Sequence, residues 1–201
     1  MSQRKVRLPH DLHDHAVSTP KGAAMTVLIA YATTEGQTRK IARFCADRLI
    51  ARGHSVELLP LVDLEDEEPL EMSRFDAAIL AGSVHGGQLQ PQLIRFAARH
   101  AAALNARPGL FLMVSLAAAG NDKEEHADLA RIAHEFVKTS GWTPSETLNV
   151  AGAFRFTQYD FFKGLAMRWI AHNKGEAVEP GKDKEYTDWA VLGAVLDKWR
   201  G

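Results

Sequence analysis

The stretch TVLIAYATTEGQTRK, residues 26–40, decides the fold. Its first part, Thr26 to Tyr31, is apolar and rich in β-branched residues, which predicts a buried strand. Small hydroxyl residues and a glycine follow, and residues 38–52 then predict a helix that ends at Gly53. The residues at helical spacing are Ile41, Phe44, Cys45 and Leu49. A buried strand that passes through a short loop into a helix is the opening unit of an α/β protein.

The same alternation continues to the end of the chain. Apolar runs predict four more strands, at residues 55–59, 75–81, 110–115 and 148–154. Amphipathic patterns predict three more helices, at residues 91–104, 123–140 and 185–199. Strands this apolar are covered on both faces, so we predict a mostly parallel sheet between two layers of helices.

The two ends of this pattern set the domain organisation. Residues 1–24 show almost no apolar periodicity and carry three clustered histidines, which we interpret as a flexible N-terminal arm and not as a metal site. Residues 25–201 form the domain. Residues 155–184, between the fifth strand and the last helix, are too many for a simple connection, so we predict an insertion there.

Composition excludes several classes of protein. The chain has 201 residues, 24 basic against 25 acidic, and one cysteine. It can form no intramolecular disulfide and no multi-cysteine metal site, and its net charge of −1 gives no support for nucleic-acid binding. It has no apolar run long enough to span a membrane and no secretory signal, so we expect a cytoplasmic protein.

Three loops follow strands at the edge where α/β proteins bind ligands. The first, residues 33–38, offers hydroxyl groups and a helix N-terminus, which suits a phosphate, although an ordinary threonine-capped helix would also explain it. The second and third, residues 82–88 and 115–121, are rich in glycine and small residues. Together the loops predict one ligand with a phosphate end and a planar end.

These residues carry a family resemblance. The loop at residues 33–38 resembles the FMN phosphate loop of the flavodoxin superfamily. The tail resembles a narrower group, the bacterial flavodoxin-type, quinone-dependent protoporphyrinogen IX dehydrogenases, through residues 151–156, Tyr159, residues 174–176 and residues 184–189. The resemblance covers Met25 to about Trp199.

The resemblance implies a fold, a cofactor and an activity. The fold would be a flavodoxin-like, doubly wound, five-stranded parallel sheet of order 2-1-3-4-5. The cofactor would be FMN, and the reaction would convert protoporphyrinogen IX into protoporphyrin IX with a quinone as acceptor. The phosphate would be held by Thr33, Thr34, Glu35, Gly36, Gln37 and Thr38. The ring would lie between Ser83, Val84, His85 and Gly86 on one side and Ser115, Leu116, Ala117, Ala118, Ala119 and Gly120 on the other.

Side-chain roles beyond cofactor binding leave alternatives. We expect the Glu35 side chain to point away from the phosphate, and no side-chain nucleophile, because the flavin carries the chemistry. His85 is a candidate proton relay or an exposed loop residue. Cys45 is expected in the core.

The insertion is predicted to hold an amphipathic helix that packs on the domain, forms a dimer, or meets the substrate or a membrane surface. Its candidate contacts are Arg155, Tyr159, Phe162, Arg168 and Trp169. Peripheral association with the inner face of the cell membrane stays open, as does self-association. The other functions considered are a flavodoxin-type electron carrier and a quinone reductase with a different partner. A phosphoacceptor receiver needs acidic residues at the ends of the first and third strands, and this chain has none there.

Overall fold

A computed structural model describes residues 23–61, 70–154 and 184–199. The strands are β1 Thr26–Ala32, β2 Ser55–Pro60, β3 Ala77–His85, β4 Gln88–Leu89, β5 Gly109–Ser115, β6 Glu146–Ala151, β7 Ala153–Phe154 and β8 Lys184–Glu185. The helices are α1 Gln37–Ala51, α2 Pro91–Arg99, α3 Ala101–Asn105, α4 Lys123–Ser140 and α5 Trp189–Lys198. Short 3₁₀ turns lie at Met72–Arg74 and Ala117–Ala119.

The five long strands form a parallel sheet in the order β2-β1-β3-β5-β6. Numbered by long strands alone, this is the predicted order 2-1-3-4-5, and the doubly wound α/β fold is confirmed. The short β4 pairs antiparallel with the end of β3, and β7 pairs antiparallel with β8. The order reverses between β1 and β3, which is the switch point where such sheets bind ligands.

Both faces of the sheet are buried, as the apolar strands predict. Alternate residues of β1 point to opposite sides. Leu28 joins the core beneath α2 and α4, whereas Ile29 joins the core beneath α1 and α5. Cys45 lies in the second core, fully buried as expected, and burial raises the pKa of its thiol to about 12.

Several predicted boundaries move for local reasons. The helix predicted at 91–104 is interrupted at His100, which separates α2 from α3. The third strand runs on to His85 because β4 folds back against it. The last helix begins at Trp189 and not at residue 185, because the Asp188 side chain caps it by accepting a hydrogen bond from the Val191 amide at 2.9 Å. The fifth long strand spans Glu146–Ala151, so it begins two residues and ends three residues before the predicted bounds of 148–154.

The two remaining predicted segments fall almost entirely outside the described residues. The structure does not describe residues 1–22 of the predicted N-terminal arm or residues 155–183 of the predicted insertion.

Candidate functional site

A cavity of about 630 Å³ opens at the carboxyl edge of the sheet. Its walls come from the loops that follow β1, β3 and β5, from the turn after β6, and from the first turns of α4. The three loops singled out from the sequence therefore meet around one space. That space lies beside the switch point between β1 and β3.

The loop after β1 leaves the N-terminus of α1 without a side-chain cap. Gly36 is the N-cap residue, and its backbone has φ +87°, a conformation that favours glycine. The Thr33 hydroxyl accepts a hydrogen bond from the Gly36 amide at 2.9 Å, so it shapes the loop and does not cap the helix. The threonine-capped helix, considered above as the ordinary explanation, is therefore absent, and the N–H groups of the first turn have no intrahelical partner.

Two buried polar side chains line the cavity next to this helix end. Gln37 is 5% exposed and Thr38 is 1% exposed. The Oε1 atom of Gln37 and the Oγ1 atom of Thr38 have no hydrogen-bond partner among the described residues. An unsatisfied buried polar group costs about 1–3 kcal/mol, so these atoms are suited to a bound ligand. A hydroxyl donor beside open helix amides fits a phosphate group.

Gln37 is held in place from the far end of the chain. Its side-chain amide donates to the Thr187 hydroxyl at 2.9 Å, and that hydroxyl donates to the Ala151 carbonyl at 2.7 Å. Thr187 was missed in the sequence, where its only signal was its place in the tail motif. It ties the first turn of α1 to the end of β6.

An ion pair supports the same contact. The Lys40 ammonium lies 2.5 Å from the Glu185 carboxylate, which also accepts from the Trp189 indole at 2.7 Å. Partial burial acts to raise the pKa of Glu185, but the hydrogen bonds from Lys40 and Trp189 outweigh it and hold this pKa below its usual range.

The loop after β3 is a tight hairpin that faces the cavity. Its wall residues are Ser83, Val84, His85, Gly86 and Gly87. The two glycines form the turn, both with positive φ.

Gln90, also missed in the sequence, joins this loop to the first one. Its Oε1 atom accepts from the Ser83 amide at 3.1 Å, and its Nε2 atom donates to the Ser83 hydroxyl and to the Thr34 hydroxyl, the latter at 3.2 Å.

A titratable pair spans the same two loops. His85 Nδ1 lies 3.7 Å from a Glu35 carboxylate oxygen, and both residues line the cavity. The Glu35 side chain is 21% exposed and the His85 side chain 36%. Glu35 thus turns toward the loop after β3. That it points away from a phosphate stays a prediction.

The loop after β5 lines the cavity with its first residues. Ser115, Leu116 and Ala117 line the cavity, and the Ser115 hydroxyl accepts from the Ala118 amide at 3.1 Å. Predicted residues that the described wall does not include are Thr34, Gly36, Ala118, Ala119 and Gly120.

The first turns of α4 form an acidic wall that the sequence reading missed. Four acidic residues line the cavity here, together with two apolar ones. The acidic residues are Asp122, Glu124, Glu125 and Asp128, and the apolar ones are Leu129 and Ile132. No lysine or arginine is among the wall residues that the structure describes.

The predicted insertion contacts lie outside the described residues. These are Arg155, Tyr159, Phe162, Arg168 and Trp169. Within the described ranges no helix is long and apolar enough to cross a membrane. Nor do three or more histidine, cysteine, aspartate or glutamate side chains gather there as a metal site.

A doubly wound parallel sheet with a cavity at this edge is typical of α/β proteins that bind a ligand at the switch point. Comparison with known families identifies which of these folds the chain has. Residues 28–179 match the flavodoxin domain family, and the chain belongs to that family. The family implies a flavin cofactor, and the cavity is where the fold would place it.

Two curated relatives resemble this chain over most of its length. The chain is 27% identical over 165 residues to the protoporphyrinogen IX dehydrogenase (quinone) of Escherichia coli strain K12, which covers 82% of this chain and 89% of the relative. It is 28% identical over 169 residues to a protein of the same name from Leishmania major, covering 82% and 70%. Among solved structures, oxidised flavodoxin 1 from Bacillus cereus aligns with 15% identity and a TM-score of 0.45, covering 76% of this chain and 99% of that one.

Proposed function

We propose that the protein is an FMN-dependent protoporphyrinogen IX dehydrogenase that passes electrons to a quinone. The relatives that suggest this reaction align over most of their own length and most of this chain, so the similarity is not confined to the flavin loops. The observation that carries the cofactor assignment is the uncapped N-terminus of α1 beside the buried, unpartnered Thr38 hydroxyl.

The residues around the cavity favour one orientation of FMN. The phosphate is assigned to the loop of residues 33–38, where amides and the Thr38 hydroxyl donate and the positive end of the α1 dipole favours negative charge. The acidic wall of α4 disfavours a phosphate at the other side. The ring is assigned to the space between Ser83–Gly86 and Ser115–Ala117. When bound, the flavin supplies two-electron acceptance, and the protein supplies orientation and exclusion of water.

The substrate side of the proposal rests on less structure. A porphyrinogen and a quinone are large and apolar, and the insertion at residues 155–184 begins at the same edge of the sheet. Contact of this segment with the substrate, the quinone or a membrane surface is part of the proposal, and so is any self-association.

The test of the proposal combines binding with turnover. Purified protein reconstituted with FMN should absorb near ~450 nm, a property of the cofactor. It should bind FMN more tightly than riboflavin, because only FMN has the phosphate. Under anaerobic conditions it should oxidise protoporphyrinogen IX when a quinone is added. Equal affinity for riboflavin contradicts the phosphate assignment, and flavin binding without porphyrinogen oxidation favours an electron carrier or another quinone reductase.

A deletion separates the two halves of the proposal. Replacing residues 159–180 with a short glycine bridge should leave FMN affinity nearly unchanged, because the phosphate and ring loops lie elsewhere. It should abolish turnover of protoporphyrinogen with a quinone. Unfolding of the variant, read by circular dichroism, would show that the insertion belongs to the core, and unchanged turnover would place the substrate on another face.

A further inference from the structure

The Glu35–His85 pair lines the cavity within the loops assigned to FMN, and that assignment gives the two side chains no chemical role. Glu35 comes from the loop before α1 and His85 from the end of β3, and both side chains are partly shielded from solvent. Their closest approach, 3.7 Å, is an ion-pair distance when the imidazole is protonated. A carboxylate beside a histidine in a cleft is an arrangement used in general acid–base chemistry.

The proposed reaction releases protons that need an acceptor. In the first two-electron step a porphyrinogen loses a hydride from a bridging carbon and a proton from a pyrrole nitrogen, and a new double bond forms between that carbon and the pyrrole carbon attached to it. A bound flavin would accept the hydride. The proton has to pass to a base, and this requirement rests on the proposed function.

Histidine is the side chain that exchanges protons near neutral pH. The other titratable groups on the described wall are carboxylates, which are weak bases at that pH. They are Glu35 beside His85, and Asp122, Glu124, Glu125 and Asp128 on α4. Glu35 is placed to stabilise the imidazolium that forms when His85 takes a proton.

We propose that His85 is the catalytic base for porphyrinogen oxidation and that Glu35 is its positioning residue. The N–H bond of a pyrrole breaks as its proton moves to the imidazole, while the C–H bond of the bridge breaks as its electron pair leaves with the hydride. The imidazolium then returns the proton to water, and a bound flavin would be reoxidised by the quinone before the next step.

Three variants of the FMN-loaded protein test the base. His85→Gln keeps a polar side chain of similar length but cannot take the proton, so kcat should fall about a hundredfold with the flavin site saturated by FMN. The wild-type loss of kcat at acid pH should be absent in this variant. His85→Ala should regain activity when imidazole is added. His134→Gln, at an exposed position on α4 away from the cavity, is the matched control and should behave as wild type.

The contact with Glu35 has its own readout in the flavin-free protein. Glu35→Gln should move the imidazole nitrogen NMR signals of His85, whereas Glu71→Gln, at an exposed position before the first 3₁₀ turn, should leave them in place. Wild-type turnover rates in His85→Gln, or no rescue of His85→Ala by imidazole, would overturn the inference. Failure of the proposed function shows differently, as wild-type protein that binds FMN but never oxidises the porphyrinogen.

Discussion

The N-termini of α1 and α4 border the same cavity and are built in opposite ways. α1 has a glycine, Gly36, as its N-cap residue, has no side-chain cap and carries no acid in its first turn. The N-cap residue of α4 is Asp122, whose carboxylate accepts from the amides of Glu124 and Glu125 at 2.7 and 3.1 Å, and those two glutamates add charge to the first turn. The N-terminus of α1 is uncapped, whereas the partial positive charge at the N-terminus of α4 is offset by acidic residues of its own segment. An anion in the cavity is therefore favoured at the N-terminus of α1 over that of α4.

The strongest way to break this comparison is to remove the hydroxyl at α1. Thr38→Val keeps the side-chain shape but deletes a donor to a charged acceptor, so FMN affinity should fall by about 1.5–3 kcal/mol, roughly 10–150-fold. Without FMN the same variant should be more stable by about 1 kcal/mol, because it no longer buries an unpartnered polar atom. Fluorescence titration with FMN and urea unfolding measure the two effects.

Thr139→Val is the control, because Thr139 is exposed on α4. It should change neither quantity. A Thr38→Val variant that binds FMN as wild type does would mean that the phosphate lies elsewhere.

The side-chain cap of α4 should contribute to the free energy of folding, whereas α1 has no such cap. Asp122→Ala leaves two backbone amides without their acceptor, so the free energy of unfolding should fall by about 1 kcal/mol. Asp128→Ala removes an exposed carboxylate paired with Arg131 at 3.2 Å and should cost less than that. Urea midpoints of the two variants decide the matter, and equal losses would show that the cap contributes nothing special.

The smallest expected effect concerns the support of α1 and depends on pH. The pKa of Glu185 is lowered in the folded protein, so its contribution is present above the unfolded value of about 4.3 and is lost as pH falls through the folded value. Wild type should therefore lose stability on acidification below about pH 4.5 more steeply than Glu185→Gln. Parallel curves of urea midpoint against pH would remove Glu185 from this role.

Features set by neighbours in the chain were predictable. Apolar runs located the five long strands, and α4 spans the predicted residues because its cap and its terminal Gly141 are local signals. The loop after β1 could be singled out because its hydroxyls and glycine follow one another in sequence, and the structure places it at the cavity.

Features made by distant segments were not predictable. Thr187 acts on a residue 150 positions away, and Gln90 reaches a threonine 56 positions away. The acidic wall was missed because Glu124 and Glu125 look like ordinary first-turn acids until the fold turns them toward the cavity. The Thr187 and Gln90 contacts have no local sequence pattern, because each depends on how the sheet brings distant loops together.

The hydrogen bond between Gln37 and Thr187 also bears on when the protein becomes competent during translation. A ribosome that has made residues 1–151 has produced every long strand of the sheet, yet the segment that steadies the start of α1 is still unmade. The nascent domain can assemble the core beneath α2 and α4, whereas the core beneath α1 still lacks α5 and the start of α1 still lacks Thr187. Flavin capture is then a late event in biogenesis, which favours chains whose tail has emerged and docked.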